Sequence, residues 1–416
     1  MRLMNKKGIT AVLFTVMLLC AVTGCKEDKK EAGDVTATPE ASIGKDEGKT
    51  PEKPMGSYET YTEAGMLQDR VKARELPAVE KRLPVRTDVV TDSGYEPGEY
   101  GESVQFAAEN ADKITGALVS EGLFRYAEDG TIAPNIAKSY AVNSDFTKYT
   151  IVLREGLRWS DGVLFTADDC VFFYEKLCLK ETFGEPLWEC FTVKNEAGKK
   201  ERAVFKKLDA YSFEVFFPSS KPDFLAQLTE RGGICFAPEH YHVNLLPEFM
   251  GEDAANAKAK DMGFANVSEM LRGTVVNAWN TAGVPTLNPY CLSTEEGKNN
   301  VGGDYYEFVR NPYYWKVDVN GKQLPYMDRL GFTRISGEAQ KMLLTTEGFL
   351  SVSELTAEQV SEATASAKRG EYRVIKWTDS TSYAVKNALK NFPETCPQEE
   401  SIRGVGAAHA EYWYVK

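Results

Sequence analysis

From Tyr149 to Arg154 the side chains alternate strictly. Tyr149, Ile151 and Leu153 fall on one face, and Thr150, Val152 and Arg154 on the other, which is the period of a half-buried strand. Glu155-Gly156 ends that run and residues 157–159 read as a short second strand. Ser160-Asp161-Gly162 supplies turn chemistry, with Gly162 free to take a positive φ, so a hairpin is predicted. Thr166-Ala167-Asp168-Asp169 then precedes an apolar run in which Val171, Tyr174, Leu177 and Cys178 recur at helical spacing. Thr166 can cap the free N–H groups, and the two acids suit the helix dipole. Elsewhere 103–108 alternates as a strand, 115–124 reads as a helix carrying Leu118 and Leu123, and 130–134 turns the chain. Residues 208–217 read as a turn feeding a strand, 224–228 as the start of a helix, and 250–280 as a helical insertion rich in Ala, Lys, Asn and Met. Asn320-Gly321 is a hairpin turn and 372–377 a strand. From 387 to 416 no period is legible, and this tail is expected to pack poorly.

The first 57 residues follow other rules. Arg2, Lys6 and Lys7 form a positive region, 9–22 is apolar, and Val22-Thr23-Gly24-Cys25 puts small residues before a cysteine. Residues 1–24 therefore read as a lipoprotein signal and Cys25 as the lipidated N-terminus, since the apolar run falls short of the ~20 residues that a membrane span needs. Residues 25–57 hold almost no large apolar side chain, so a flexible tether is expected. Residues 58–100, broken at Leu76-Pro77 and Leu83-Pro84, form an irregular pre-domain, and the domain proper runs from 101 to 386.

Composition narrows the function. The chain has 416 residues, 43% hydrophobic and 11% aromatic, which is enough for a packed core in two or three domains. A net charge of -12, with no basic block beyond scattered lysine pairs, argues against a nucleic-acid footprint. Of eight cysteines, Cys20 leaves with the signal and Cys25 is taken by lipid; the other six form no C-x-x-C pair. Cys170 and Cys178 sit in the apolar helix, where a small buried hydrophobe is the expected role rather than a disulfide framework. The pair His240 and His242, read on a strand, would share a face, but no nearby Cys, Asp or Glu completes a metal-ligand set. A structural histidine is expected there, with no metal. No G-x-S-x-G, H-E-x-x-H or Walker A motif occurs, so neither enzyme nor cofactor is expected.

Three linked words, Leu153-Arg154-Glu155-Gly156, Trp159-Ser160-Asp161-Gly162 and Thr166-Ala167-Asp168-Asp169, resemble the signature of the family 5 extracellular solute-binding proteins of ABC transporters. A second stretch, Asn311-Pro312-Tyr313-Tyr314-Trp315-Lys316-Val317-Asp318 with Asn320-Gly321-Lys322-Gln323-Leu324-Pro325-Tyr326-Met327-Asp328, resembles that family almost letter for letter. Residues 66–84, Glu121-Gly122-Leu123, 134–140, Pro238 to Tyr241 and Pro285-Thr286-Leu287 match further family words, so the resemblance covers about 63–386. It implies an α/β, periplasmic-binding-protein-like fold of the type II, peptide-binding cluster, with a mixed sheet. It also implies lobe I with its side subdomain, the second lobe missing and the tail after 386 aberrant, so that peptide binding is impaired. By resemblance, Ala108, Glu109 and Asn110 line the ligand cleft after the first strand, and Trp377 and Asp379 face it from the crossover. The implied protein binds a small solute, expected to be a peptide. It partners an ABC permease and its ATPase, and sits outside the cytoplasm on a lipid at Cys25. The competing reading is a surface lipoprotein that uses the same lobe for adhesion or signalling.

Overall fold

The computed structural model of the protein describes residues 60–90, 97–101, 103–108, 120–127, 130–183, 188–195, 197–230, 232–295, 305–334, 350–353, 374–378 and 411–415. These all fall in the unit Gly48–Lys416. In chain order the strands are β1 (Asp88–Val89), β2 (Ser103–Ala108), β3 (Phe124–Tyr126), β4 (Ile132–Pro134), β5 (Ala137–Val142) and β6 (Lys148–Leu153). Then come β7 (Thr192–Lys194), β8 (Lys200–Arg202), β9 (Val204–Asp209), β10 (Ser212–Phe216), β11 (Tyr290–Leu292) and β12 (Tyr305–Arg310). The last are β13 (Lys316–Val317), β14 (Arg329–Arg334), β15 (Leu350–Ser353), β16 (Val374–Thr378) and β17 (Glu411–Val415).

The alternating strand β6 sits inside a four-stranded antiparallel sheet ordered β5-β6-β10-β9. Its apolar face (Tyr149, Ile151, Leu153) joins Phe213 and Val215 of β10 and Phe205 of β9 in the core of the side subdomain. The helix Ala167–Phe172 covers that core. Its last turn widens to a π-helical turn over Phe173–Cys178, and Tyr174 stacks on Phe205 with ring centroids 4.1 Å apart. The predicted hairpin is present in miniature: the Trp159 N–H donates to Val163 O (2.8 Å), that of Phe165 to Leu157 O (2.8 Å), and Gly162 has φ of 94°. The predicted cap is present as a capping box, Thr166 with Asp169. The insertion predicted at 250–280 is helical over Glu252–Asp261 and Val267–Val275.

A second, larger sheet carries the mixed pairing. Its order is β11-β12-β14-β2-β15-β17-β16, with β2 parallel to both β14 and β15 and the remaining pairs antiparallel. A row of rings crosses one face: Phe106 stacks on Phe332 at 4.9 Å, and Phe332 on Tyr306 at 5.5 Å. The mixed α/β expectation is met by these two sheets and their helices.

Three expectations differ from the structure. Residues 120–123, predicted within a helix, are non-helical and lead into β3, because Phe124, Arg125 and Tyr126 pair with Pro134, Ala133 and Ile132. Gly122 there approaches Gly233 so closely that a Cβ would lie 2.4 Å from Gly232 O. His240 and His242 lie in a helical turn, Glu239–His242, rather than on a strand, so at 100° per residue they point in different directions and share no face. Within the tail, Glu411–Val415 forms a strand between β15 and β16, which the lack of a longer period did not suggest.

Candidate ligand-binding edge

The family-like words are far apart in the chain and meet in space. Glu121 is buried, accepting hydrogen bonds from the Tyr314 hydroxyl (2.7 Å), the Asn135 amide (2.7 Å) and Lys316 Nζ (3.1 Å). Arg154 and Lys316 both lie over the ring of Trp315, at 4.9 and 4.8 Å from its centroid, a cation–π arrangement that neutral residues would not make. Arg154 also donates to Asn135 O (2.7 Å) and pairs with Asp88 (3.1 Å). Ser160 and Thr286 are joined twice: the Ser160 N–H donates to Thr286 O and the Thr286 N–H to Ser160 Oγ. Asn311 donates to Asn288 O (2.8 Å), and Gly162 leaves room for Tyr313, whose hydroxyl would lie 2.7 Å from a Cβ. Asp169 accepts from the Thr166 N–H, the Trp159 indole and the Glu239 N–H, and burial nonetheless pushes its pKa up to about 6. These words build a scaffold. Many of their polar side chains are bonded to one another.

The pre-domain is woven into the same scaffold. Arg82 is fully buried and donates to Pro77 O, Pro312 O, Gln323 Oε1 and Glu63, while β1 pairs in parallel with β13. Desolvation lowers the Arg82 pKa and raises that of Glu63. The Thr62 N–H donates to Gly321 O, and Tyr100 reaches Thr62 O and Gln323 O. All of this lies at the end of the large sheet where β2 and β14 begin, since the Gly101 N–H donates to Tyr326 O just before both.

The opposite end of that sheet holds the two predicted ligand residues that the structure describes, Ala108 and Trp377. β2, β14, β15 and β16 all point the same way, because β15 and β16 are each antiparallel to β17 and β15 is parallel to β2. Their carboxyl ends are Ala108, Arg334, Ser353 and Thr378. In an open α/β sheet the crevice beyond the carboxyl ends, where neighbouring strands are connected to opposite sides, is the place that binds ligands. Here β14 and β15 flank β2, and the chain steps over β2 to join them. Ala108, opposite Arg334, and Trp377, one residue before the end of β16 and opposite Tyr412, lie on this edge. Glu109, Asn110, Asp379 and Cys25 lie outside the described residues. Away from that edge, Glu307 of β12, opposite Gly331, accepts from Arg329 at the start of β14 (2.5 Å) and, at 3.4 Å, from the Tyr305 hydroxyl, whose pKa burial raises. Sequence reasoning did not pick out this trio, which becomes visible only once Tyr305 and Glu307 are placed on the same face of one strand.

Both histidines of the 239–242 turn are engaged by other groups. His242 is fully buried between Pro238 O (3.0 Å) and Thr274 Oγ1 (3.2 Å), and burial drives its pKa down to about 4. His240 bonds Asp161 at 2.8 Å, and among the described residues no group of three or more His, Cys, Asp and Glu side chains is placed to hold a metal ion. Cys170, Cys178, Cys190 and Cys235 are buried. Among the described residues no helix is long and apolar enough to cross a membrane.

Residues 131–391 match the family described as bacterial extracellular solute-binding proteins, family 5 Middle. The chain belongs to this family. It is similar to the periplasmic alpha-galactoside-binding protein of Rhizobium meliloti (strain 1021), with 29% identity over 334 residues, 72% of this chain and 42% of the relative. It is also similar to the periplasmic oligopeptide-binding protein OppA of Haemophilus influenzae, with 24% identity over 242 residues, 56% of this chain and 38% of that one. Among solved structures, an oligopeptide-binding protein OppA aligns with a TM-score of 0.66 at 25% identity, covering 77% of this chain and 49% of its own. The periplasmic binding protein MelB of Agrobacterium fabrum C58, in complex with stachyose, aligns at 0.54 and 23% identity, a likeness of fold that covers 78% of this chain and 48% of that one. The chain thus spans at most about half the length of these relatives. The fold is of the periplasmic-binding-protein type implied by the family words.

Proposed function

We propose that this protein is the substrate-binding component of an ABC importer, held outside the cytoplasm by lipid on Cys25, and that it takes its solute at the carboxyl edge formed by β2, β15 and β16. Family membership together with that edge carries the reading: a family of solute-binding proteins, and the carboxyl ends of like-directed strands of an open mixed sheet, where ligands of such sheets bind. A peptide is the solute favoured here, and the ABC permease and ATPase are the partners. The relative that binds α-galactosides supports a second reading, an oligosaccharide.

Melting temperature measured against a peptide library and against α-galactosides discriminates the readings, since a ligand that binds only the folded state raises it. A rise with peptides supports the peptide reading, and a rise with α-galactosides alone moves the solute class to sugar. No rise with either, together with a protein partner, supports an adhesion or signalling module and overturns the transport reading. Anchoring is separate: Cys25→Ser is expected to shift the protein out of the detergent phase, and unchanged partitioning overturns the lipid anchor.

A further inference from the structure

One face of the side subdomain has a chemistry that the solute edge does not use. A single residue, Ala203, separates β8 from β9: Ala203 and Phe205 are buried between exposed Arg202, Val204 and Lys206, and beyond Phe205 every residue to Asp209 is exposed, Leu208 lying where the pairing with β10 shifts register. Val204 keeps 59% of its surface in water and Leu208 46%, on the edge strand of the sheet. The row continues sideways. Val204 and Lys148 flank Phe216, which points away from the core because Phe213 and Val215 point into it. Phe146, in the turn that leads into Lys148, is 42% exposed and has φ of 56°, a region that a bulky residue enters at a cost. Asn143 and Asp145 hold that turn: Asn143 Oδ1 accepts from the Thr147 and Lys148 N–H groups, and Asp145 Oδ1 from the Thr147 hydroxyl at 2.6 Å.

The charge of this row runs against that of the chain. Net charge is -12, yet the exposed row brings Lys200, Arg202 and Lys206 together with apolar side chains between them. Lys148 pairs with Glu214 at 3.4 Å and Lys200 with Glu189, whereas Glu201 (bonded to Asn195, 3.1 Å) and Asp209 (bonded to Ser212, 2.7 Å) keep their charge beside the row, so its positive character rests on Arg202 and Lys206. A solvated edge strand needs lysines to discourage pairing, but it does not need Val204, Leu208 and Phe146 left in water beside them. Cations alternating with apolar side chains on a flat sheet suit a surface that is anionic outside and apolar just beneath.

We propose that this face, Arg202, Val204, Lys206 and Leu208 with Phe146 and Phe216, docks on the headgroups of an anionic phospholipid bilayer. It would set how the lobe lies on the membrane to which Cys25 holds it. The proposal rests on the extracytoplasmic, lipid-anchored reading for its biological setting, but its test does not depend on the anchor.

The test uses the full chain with Cys25→Ser and measures co-sedimentation with phosphatidylcholine vesicles, with and without phosphatidylglycerol. Arg202→Gln with Lys206→Gln is expected to weaken partition onto the phosphatidylglycerol vesicles by roughly 25-fold, about fivefold for each basic residue near an anionic surface, and to leave partition onto pure phosphatidylcholine unchanged. Val204→Ser with Leu208→Ser is expected to weaken it as well. Both pairs are solvent-facing, so unchanged urea midpoints show that folding is intact. Equal partition of the parent and the Gln variants onto phosphatidylglycerol vesicles overturns the proposal. So does a parent that ignores these vesicles and instead binds a soluble acidic polypeptide through the same residues, which would make the face a protein contact. Detergent partition of the unmutated Cys25 chain reads the anchor alone, so its failure is distinguishable from failure of the docking face.

Discussion

Lys316 and Glu121 are the pair on which the family words converge, and their energetics follow from burial. Removing one partner strands a charge in the interior, whereas removing both strands none. Lys316→Met is therefore expected to destabilise the protein by about 3–5 kcal/mol in urea unfolding, and the double variant Lys316→Met/Glu121→Leu by markedly less. Additive losses would show that the two side chains act independently. Two other buried groups, Asp169 and His242, meet at the loop around Pro238: Asp169 accepts from the Glu239 N–H, and His242 lies against Pro238 O. Burial raises the Asp169 pKa to about 6 from its model-peptide value of 3.8, and lowers that of His242 to about 4 from 6.5. The signs oppose. The Asp169 contribution is fully present below 3.8 and is lost as pH rises through about 6, because the folded state alone holds that proton in between. The His242 contribution is present above 6.5 and is lost as pH falls through about 4. Across the shared window the two nearly cancel. Asp169→Asn should expose a stability that rises with pH, and His242→Asn one that falls. Melting temperature measured from pH 4 to 6.5 checks this, and parallel profiles for the two variants would refute it.

Single elements were legible wherever their cause is local. The hairpin at 157–165 and the cap at Thr166 rest on residues within a few positions of one another, so turn chemistry and capping were enough. The turn at Asn320-Gly321 is of the same kind: Gly321 has φ of 77°, and Asp318 accepts from the Asn320 and Lys322 N–H groups. Misreadings arose where a remote contact decided the local state. Helical pattern through Phe124 lost to β3 because Pro134 and its neighbours offer a strand, and because Gly122 must pass against Gly233. The histidine pair became helical because Pro238 opens the turn and the Glu239 N–H finds Asp169, 70 residues upstream. The strand Glu411–Val415 is too short for its period to stand out, and its partners, β15 and β16, are themselves separated in the chain.

At the scale of the whole molecule, the order of the large sheet lay beyond any reading by period. Its central strand β2 finds both neighbours more than two hundred residues downstream, and β17 enters between β15 and β16 from the far end of the chain. The resemblance of words separated by more than a hundred residues did indicate that they would meet, and the Ser160–Thr286 and Glu121–Lys316 contacts are those meetings. Of the residues expected at the cleft, the topology places Ala108 and Trp377 at or next to the carboxyl ends of strands that run the same way. The basic row through Arg202 and Lys206 was not, because the chain as a whole is acidic and only the fold gathers that face.

The buried Arg82 has a consequence for synthesis. Its acceptors at Pro312 and Gln323 lie 230 and 241 residues further along the chain, so during translation the strap waits for them. At roughly 5–20 residues per second that interval is about 10–50 s. For all of that time the guanidinium lacks two of its acceptors, while Glu63 and Pro77 precede it and Arg154 and Glu155, which bond Asp88 and the Val85 N–H, are made well before them. A nascent chain halted before residue 312 should therefore be cut readily near Arg82 by trypsin, and one released after residue 334 should resist. Equal cleavage of the two would mean that the strap latches onto something made earlier. If the expected difference holds, the pre-domain stays unlatched until the Pro312 and Gln323 acceptors have been made.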